Sequence, residues 1–249
     1  MNPLFTYTLR IADDSMILGQ RLSELCGHGP AIEEDIALTN IALDLIGQAT
    51  SLYEYAASVH EEWKTADDLA FLRYERQYTN LLLVEQPNGD FGMTIARQWF
   101  FDNFRVLYYS ELQKSKDAQL AAIAEKSLKE TRYHLRHSSE WLIRLGDGTE
   151  ESHRRVQEAL NLLYRYTDEL FFMDDVDKTL IEQGIAVDLE AIRPIFNERI
   201  KEILTKATLT LPTNNWKQSG GRIGKHTENL GHILSEMQYM QRAYPNMEW

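Results

Sequence analysis

Apolar positions recur at helical spacing along most of the chain, and caps and breakers divide it into helices. Leu9, Met16, Leu18, Leu22 and Leu25 fall on a first helix from about Thr6 to Cys26, stopped by Gly27. Gln20 and Glu24 are its inner-face polar candidates. The acidic turn Glu33-Glu34-Asp35 opens a second helix to about Ala57. From Ile36 to Leu52 its only charge is Asp44, and a helix apolar nearly all round belongs at the centre of a bundle. The pattern therefore predicts a buried Asp44, which must be neutralised, paired or ligated. A third helical region is expected over about Asp68 to Val84, before the turn Gln86-Pro87-Asn88-Gly89-Asp90.

The fourth helix, about Phe91 to Lys114, is dense in aromatics: Trp99, Phe100, Phe101, Phe104, Tyr108 and Tyr109, with Asp102 and Arg105 among them. Such a run is core or interface, and aromatics exposed together mark a partner surface. Asp117 is placed to cap a fifth helix reaching Leu145, ahead of Gly146-Asp147-Gly148. Thr149 caps a sixth to about Met173; Asp174 to Gln183 is a short helix, and Asp188 starts another to Ala207 that contains Pro194. The stretch 208–225 is irregular, and a last helix runs over about 227–244. The expected fold is all-α. A four-helix bundle would use the segments near 6–26, 33–57, 91–114 and 117–145, with accessory helices over 149–249, as one domain of 249 residues.

Composition narrows the function. With 13 Gly and 6 Pro, breakers are sparse, which favours long helices. A single cysteine, Cys26, excludes an internal disulfide and a thiolate cluster. A net charge of −12 without a basic aromatic stripe argues against nucleic acid and anionic lipid. The start, MNPLFTYTLRIADDS, has no basic segment followed by an apolar run, and no stretch approaches the ~20 apolar residues of a membrane span. Cytoplasm is the expected compartment.

The candidate chemistry centres on SLKETRYHLRHSSEWL, residues 127–142. Glu130, Tyr133, His134, His137 and Trp141 gather along one side of a helix. A ferritin-like di-iron site needs Glu-x-x-His on two helices and a lone carboxylate on two others. Here the residue three after Asp44 is Gly47, and three after Glu130 comes Tyr133; His134 is one residue late, about 100° round the helix. Both imidazole slots are therefore empty. Gln20 and Asp102 would be remnants of the lone carboxylates. The expected arrangement is a metal-free buried polar network of Gln20, Asp44, Gly47, Asp102, Glu130 and Tyr133, balanced by Arg105, His134 or a shared proton. An active di-metal site with altered ligands, using His134, is the alternative. In SGGRIGKH, Arg222 and Lys225 are candidates for contact with a partner or a phosphate, although the stretch is not a Walker motif; an ordinary loop held by tertiary contacts is the other reading.

The segments LLLVEQPNGDFGMTIARQWFFD, KETRYHLRHSSEWLIRLGDGT and GGRIGKHTENLGHILSEMQYMQRAYP resemble the C subunits of bacterial phenylacetyl-CoA epoxidases. The likeness continues through LDLIGQA and DELFFMDDVD to the tail at Trp249. It implies a ferritin-like, metal-free structural subunit paired with a homologous catalytic A subunit that carries the di-iron centre. That complex epoxidises the ring of phenylacetyl-CoA with oxygen and with electrons from a reductase subunit. A helical interaction module unrelated to oxygenases is the competing reading.

Overall fold

The computed structural model describes residues 2–60, 65–213, 216–245 and 247. Asn214 and Asn215, inside the irregular stretch, and the terminal Trp249 lie outside the described residues. In chain order the α-helices are α1 (Pro3–Ser23), α2 (Ile32–Ser58), α3 (Ala66–Phe71), α4 (Phe91–Leu112), α5 (Ala118–Gly146), α6 (Glu150–Leu163), α7 (Asp175–Glu182), α8 (Leu189–Lys206), α9 (Glu228–Met237) and α10 (Tyr239–Ala243). Short 3-10 turns occupy Glu75–Gln77, Tyr164–Phe171 and Gly221–Ile223, and there is no strand among the described residues. The all-α class is as the sequence predicts. The chain forms two compact units, Met1–Gln86 with Gly220–Trp249, and Pro87–Ser219. Each contains one of the two long helical hairpins of a ferritin-like chain.

In the first unit α1 packs along α2, and α9 contacts α1. Asn2 caps α1 by accepting from the Leu4 N–H at 3.0 Å, with Pro3 in the first turn, so the helix starts before the expected Thr6. Leu38, Ile41, Ala42, Leu45, Ala49 and Leu52 form the buried face of α2. Its opposite side is not buried: Ile32, Ile36 and Leu43 are 72%, 55% and 61% exposed. The all-round apolar pattern therefore misplaces Asp44, which lies between the two faces and is half-buried.

The expected helix over 68–84 is the largest departure. Only α3 and one 3-10 turn form there. Residues 78–86 lack a helix because buried side chains from distant positions satisfy their backbone. Asp13 accepts from the Thr79 N–H at 2.8 Å and Asp14 from the Leu81 N–H at 2.8 Å. Arg222 donates to the Thr79 carbonyl at 2.9 Å, and His226 bonds the Tyr78 carbonyl at 2.9 Å. Backbone groups met in this way need no intrahelical partner.

In the second unit α4 packs along α5, with α6 and α8 against α4. Asp90 caps α4 through the Met93 N–H at 2.9 Å, and Asp117 caps α5 through the Leu120 N–H at 2.9 Å. Phe91 meets Trp141 edge-on, 5.1 Å between ring centres, tying the start of α4 to the end of α5. Every aromatic from Trp99 to Tyr109 is buried, so the run is core rather than an adhesive surface. The expected helix over 149–173 ends at Leu163 and tightens into the 3-10 turn Tyr164–Phe171. Back in the first unit the last helix is divided at Gln238 into α9 and α10, and the side-chain amide of Gln238 donates to the Arg73 carbonyl and the Tyr78 hydroxyl, each at 3.0 Å.

Candidate functional site

The sequence-selected residues fall in both units. In the first, Gln20 and Asp44 are half-buried, and Gln20 Nε2 lies 3.7 Å from the sulfur of Met16. Gly47 is exposed, and a Cβ built on it would meet open space. In the second unit Glu130 is half-buried and Tyr133 is 44% exposed, stacked beneath Arg136 at 5.5 Å. The expected network had these five positions buried, and none of them is fully buried. Helix rotation explains it: Leu128, Thr131, His134, Ser138 and Leu142 carry the buried stripe of α5, and Glu130 and Tyr133 lie to the side of it.

Asp102 and His134 do come together. Asp102 is fully buried in α4 and accepts from Gln98 Nε2 at 2.7 Å and from Ser138 Oγ on α5 at 2.8 Å. Burial pushes its carboxyl from the ordinary 3.8 up to about 7; the charge of His134 and the bonds from Ser138 and Gln98 pull it part of the way back. At neutral pH this carboxyl is therefore part-protonated. Arg105 is also buried, with its guanidinium over the rings of Phe101, Tyr109 and Tyr108 at 4.9, 5.1 and 5.5 Å.

A second buried charged cluster lies in the first unit, and of its members the sequence had singled out only Arg222. Asp13 accepts from both terminal nitrogens of Arg73, from the Tyr53 hydroxyl at 2.7 Å and from Thr79 Oγ1 at 3.0 Å. Burial opposes the charge of Arg73, but Asp13 outweighs it and holds the guanidinium ionised; burial, then Asp13, raises the Tyr53 phenol. Asp14 takes Arg222 as a two-pronged partner at 3.0 and 2.8 Å. Glu85 accepts from Asn80 at 3.0 Å, from the Thr227 N–H at 2.7 Å and hydroxyl at 2.8 Å, and from His226 Nδ1 at 2.8 Å. His226 Nε2 faces a carbonyl, which can only accept, so Nε2 carries a proton, and a second proton on Nδ1 would make the bond to Glu85 an ion pair. Burial lowers its pKa, but the bond and charge of Glu85, the Tyr78 carbonyl and Asp13 outweigh that and raise it above 6.5.

Arg222 is thus committed inside the protein, whereas Lys225 is exposed. The glycines of SGGRIGKH serve close packing: a Cβ on Gly221 would overlap the Asn80 carbonyl, and one on Gly224, at φ 72°, the Arg76 carbonyl. The signal for this cluster was present in two consecutive acids, Asp13-Asp14, between the apolar residues Ile11-Ala12 and Met16-Ile17-Leu18.

The whole chain, residues 1–249, matches the model of the family described as phenylacetic acid catabolic protein. The chain belongs to that family. Over 249 residues it is 50% identical to the C subunit of 1,2-phenylacetyl-CoA epoxidase from Escherichia coli (strain K12), covering 100% of both chains. Against this family background, the donors for a di-iron centre do not fit. The positions that Glu-x-x-His spacing assigns to imidazoles, Gly47 and Tyr133, are exposed and carry none, and Asp102 accepts a hydrogen bond on each oxygen, from Gln98 and Ser138. Among the described residues no three His, Cys, Asp or Glu side chains form a metal-holding group. Nor is any described helix long and apolar enough to cross a membrane.

Proposed function

We propose that this chain is a non-catalytic structural subunit of a phenylacetyl-CoA epoxidase complex, supporting a homologous catalytic subunit that carries the di-iron centre. The observation that supports this reading is that the buried carboxylate between α4 and α5, Asp102, is paired with Gln98 and Ser138, and that among the described residues no three His, Cys, Asp or Glu side chains form a metal-holding group. Full-length similarity to the C subunit of an epoxidase supplies the reaction and the setting. In the proposed complex a reductase subunit delivers electrons to the catalytic one, and the assembly is cytoplasmic. This chain binds no catalytic metal, nucleic acid or membrane. Its own residues contribute two helical hairpins, and in the second the buried Asp102 carboxyl is part-protonated at neutral pH.

Sedimentation of the purified chain with its catalytic homologue tests the assignment. The expected result is one hetero-oligomer whose epoxidation of phenylacetyl-CoA requires both chains. Independent sedimentation, or full turnover without this chain, would contradict it.

A further inference from the structure

The 3-10 turn Tyr164–Phe171, helix α8 and the segment at Trp216 surround a pocket of 250 Å³ in the second unit. Its walls are aromatic: Phe171 and Phe196 meet edge-on at 5.2 Å, and Trp216 presents a 57% exposed indole. Its polar side is cationic. Lys217 Nζ lies 2.6 Å from Oδ1 of Asp168, and the same oxygen takes Nη2 of Arg193, whose guanidinium sits 4.9 Å over the Phe171 ring. Arg165 stacks on Trp216 at 4.8 Å, and its carbonyl accepts from the Gln218 N–H at 2.9 Å, which ties the Trp216 segment to the turn. Glu190, 3.7 Å from Arg193, is the second acid at this place. Of the charged residues lining the pocket two are cations, Arg193 and Lys217, and one is an acid, Asp168, a local excess of positive charge in a chain of net charge −12.

We propose that this pocket is a binding site for a small aryl carboxylate. The ring would lie among Phe171, Phe196 and Trp216, and the carboxylate would take donors of Arg193 and Lys217. A guanidinium carries five N–H donors and an ammonium three, so one Asp168 oxygen does not exhaust them. A guanidinium also matches a carboxylate in two-pronged geometry. Aromatic walls beside cations favour a planar ring over an aliphatic chain. The volume lies below the ~300–1,000 Å³ of pockets for larger ligands, which restricts the occupant to one ring with a short acidic arm. This inference is independent of the subunit role proposed above, because it uses none of the same residues.

Isothermal titration of the full chain with phenylacetate, benzoate, acetate and inorganic phosphate tests it. The two aryl acids should bind saturably, and acetate and phosphate at least ~10-fold more weakly, since neither fills the aromatic walls. Lys217→Gln and Arg193→Gln should each weaken the aryl acids by ~10-fold or more, while Trp216→Phe retains them. Lys217 is 63% exposed at its side chain, so that variant folds and remains informative if Arg193→Gln does not. Acetate binding as tightly as phenylacetate, affinity unchanged in Lys217→Gln, or no saturable binding of either aryl acid would each overturn the proposal.

Discussion

At the scale of single residues, the first unit depends on charges removed from water and met by buried partners. Arg222→Ala would take the two-pronged guanidinium away from fully buried Asp14, and breaking a buried ion pair from one side costs about 3–5 kcal/mol. Urea denaturation should show that loss, and Arg222→Lys should recover only part of it, because an ammonium cannot reproduce the two-pronged bond. Asp102 gives a pH signature of definite sign. Its folded pKa of about 7 is above the ordinary 3.8, so as pH rises the unfolded chain ionises first. Stability from this group is therefore full below about pH 4 and is lost progressively up to about pH 7. Asp102→Asn removes the titration, and relative to wild type it should gain on the order of a few kcal/mol between pH 4 and pH 8 in paired urea melts. His226 is raised above 6.5, so its contribution is full below that pH and disappears as pH climbs through the folded value. An NMR titration of the His226 ring that gave a pKa at or below 6.5 would contradict an ion pair with Glu85.

Among the elements, what could be read from the sequence is what local chemistry decides. The caps at Asp117 and Thr149 and the stop at Gly146-Asp147-Gly148 follow from nearby residues, and the structure has them. Segment 78–86 could not be read, because its hydrogen-bond partners are Asp13, Asp14, Arg222 and His226, up to 148 positions away. Periodicity carries no information about such partners. Likewise the apolar pattern of α2 could not say that Leu43 faces outward and leaves Asp44 half-buried. At the candidate site, the sequence showed that the residues three after Asp44 and Glu130 are Gly47 and Tyr133 and carry no imidazole. It did not show that Glu130 lies beside the buried stripe of α5, because a rotation of one residue separates the two outcomes. The glycine turn at 220–224 makes the packing argument testable. Gly221→Ala would drive a methyl group into the Asn80 carbonyl, and because this displaces backbone the cost should reach at least the ~1–3 kcal/mol of overpacking. Thermal melting should show a clear drop in the midpoint, and hydrogen exchange should place the loosening in 76–85 and 220–228. Unchanged exchange there would mean that the turn is not held by this contact.

For the whole molecule, the proposed division of labour assigns metal chemistry to a partner and structural support to this chain. The most direct measurement is turnover of a fully assembled complex carrying Glu130→Gln in this subunit, with iron quantified separately in each separated chain. Glu130 is the carboxylate that the sequence spacing names as a ligand on α5, and it lies outside the buried Asp102 contacts, so its replacement should leave assembly intact. The account predicts wild-type turnover, with iron in the catalytic partner and well under one atom per copy of this chain. Lost turnover in the intact assembly, together with stoichiometric iron in this chain, would contradict it.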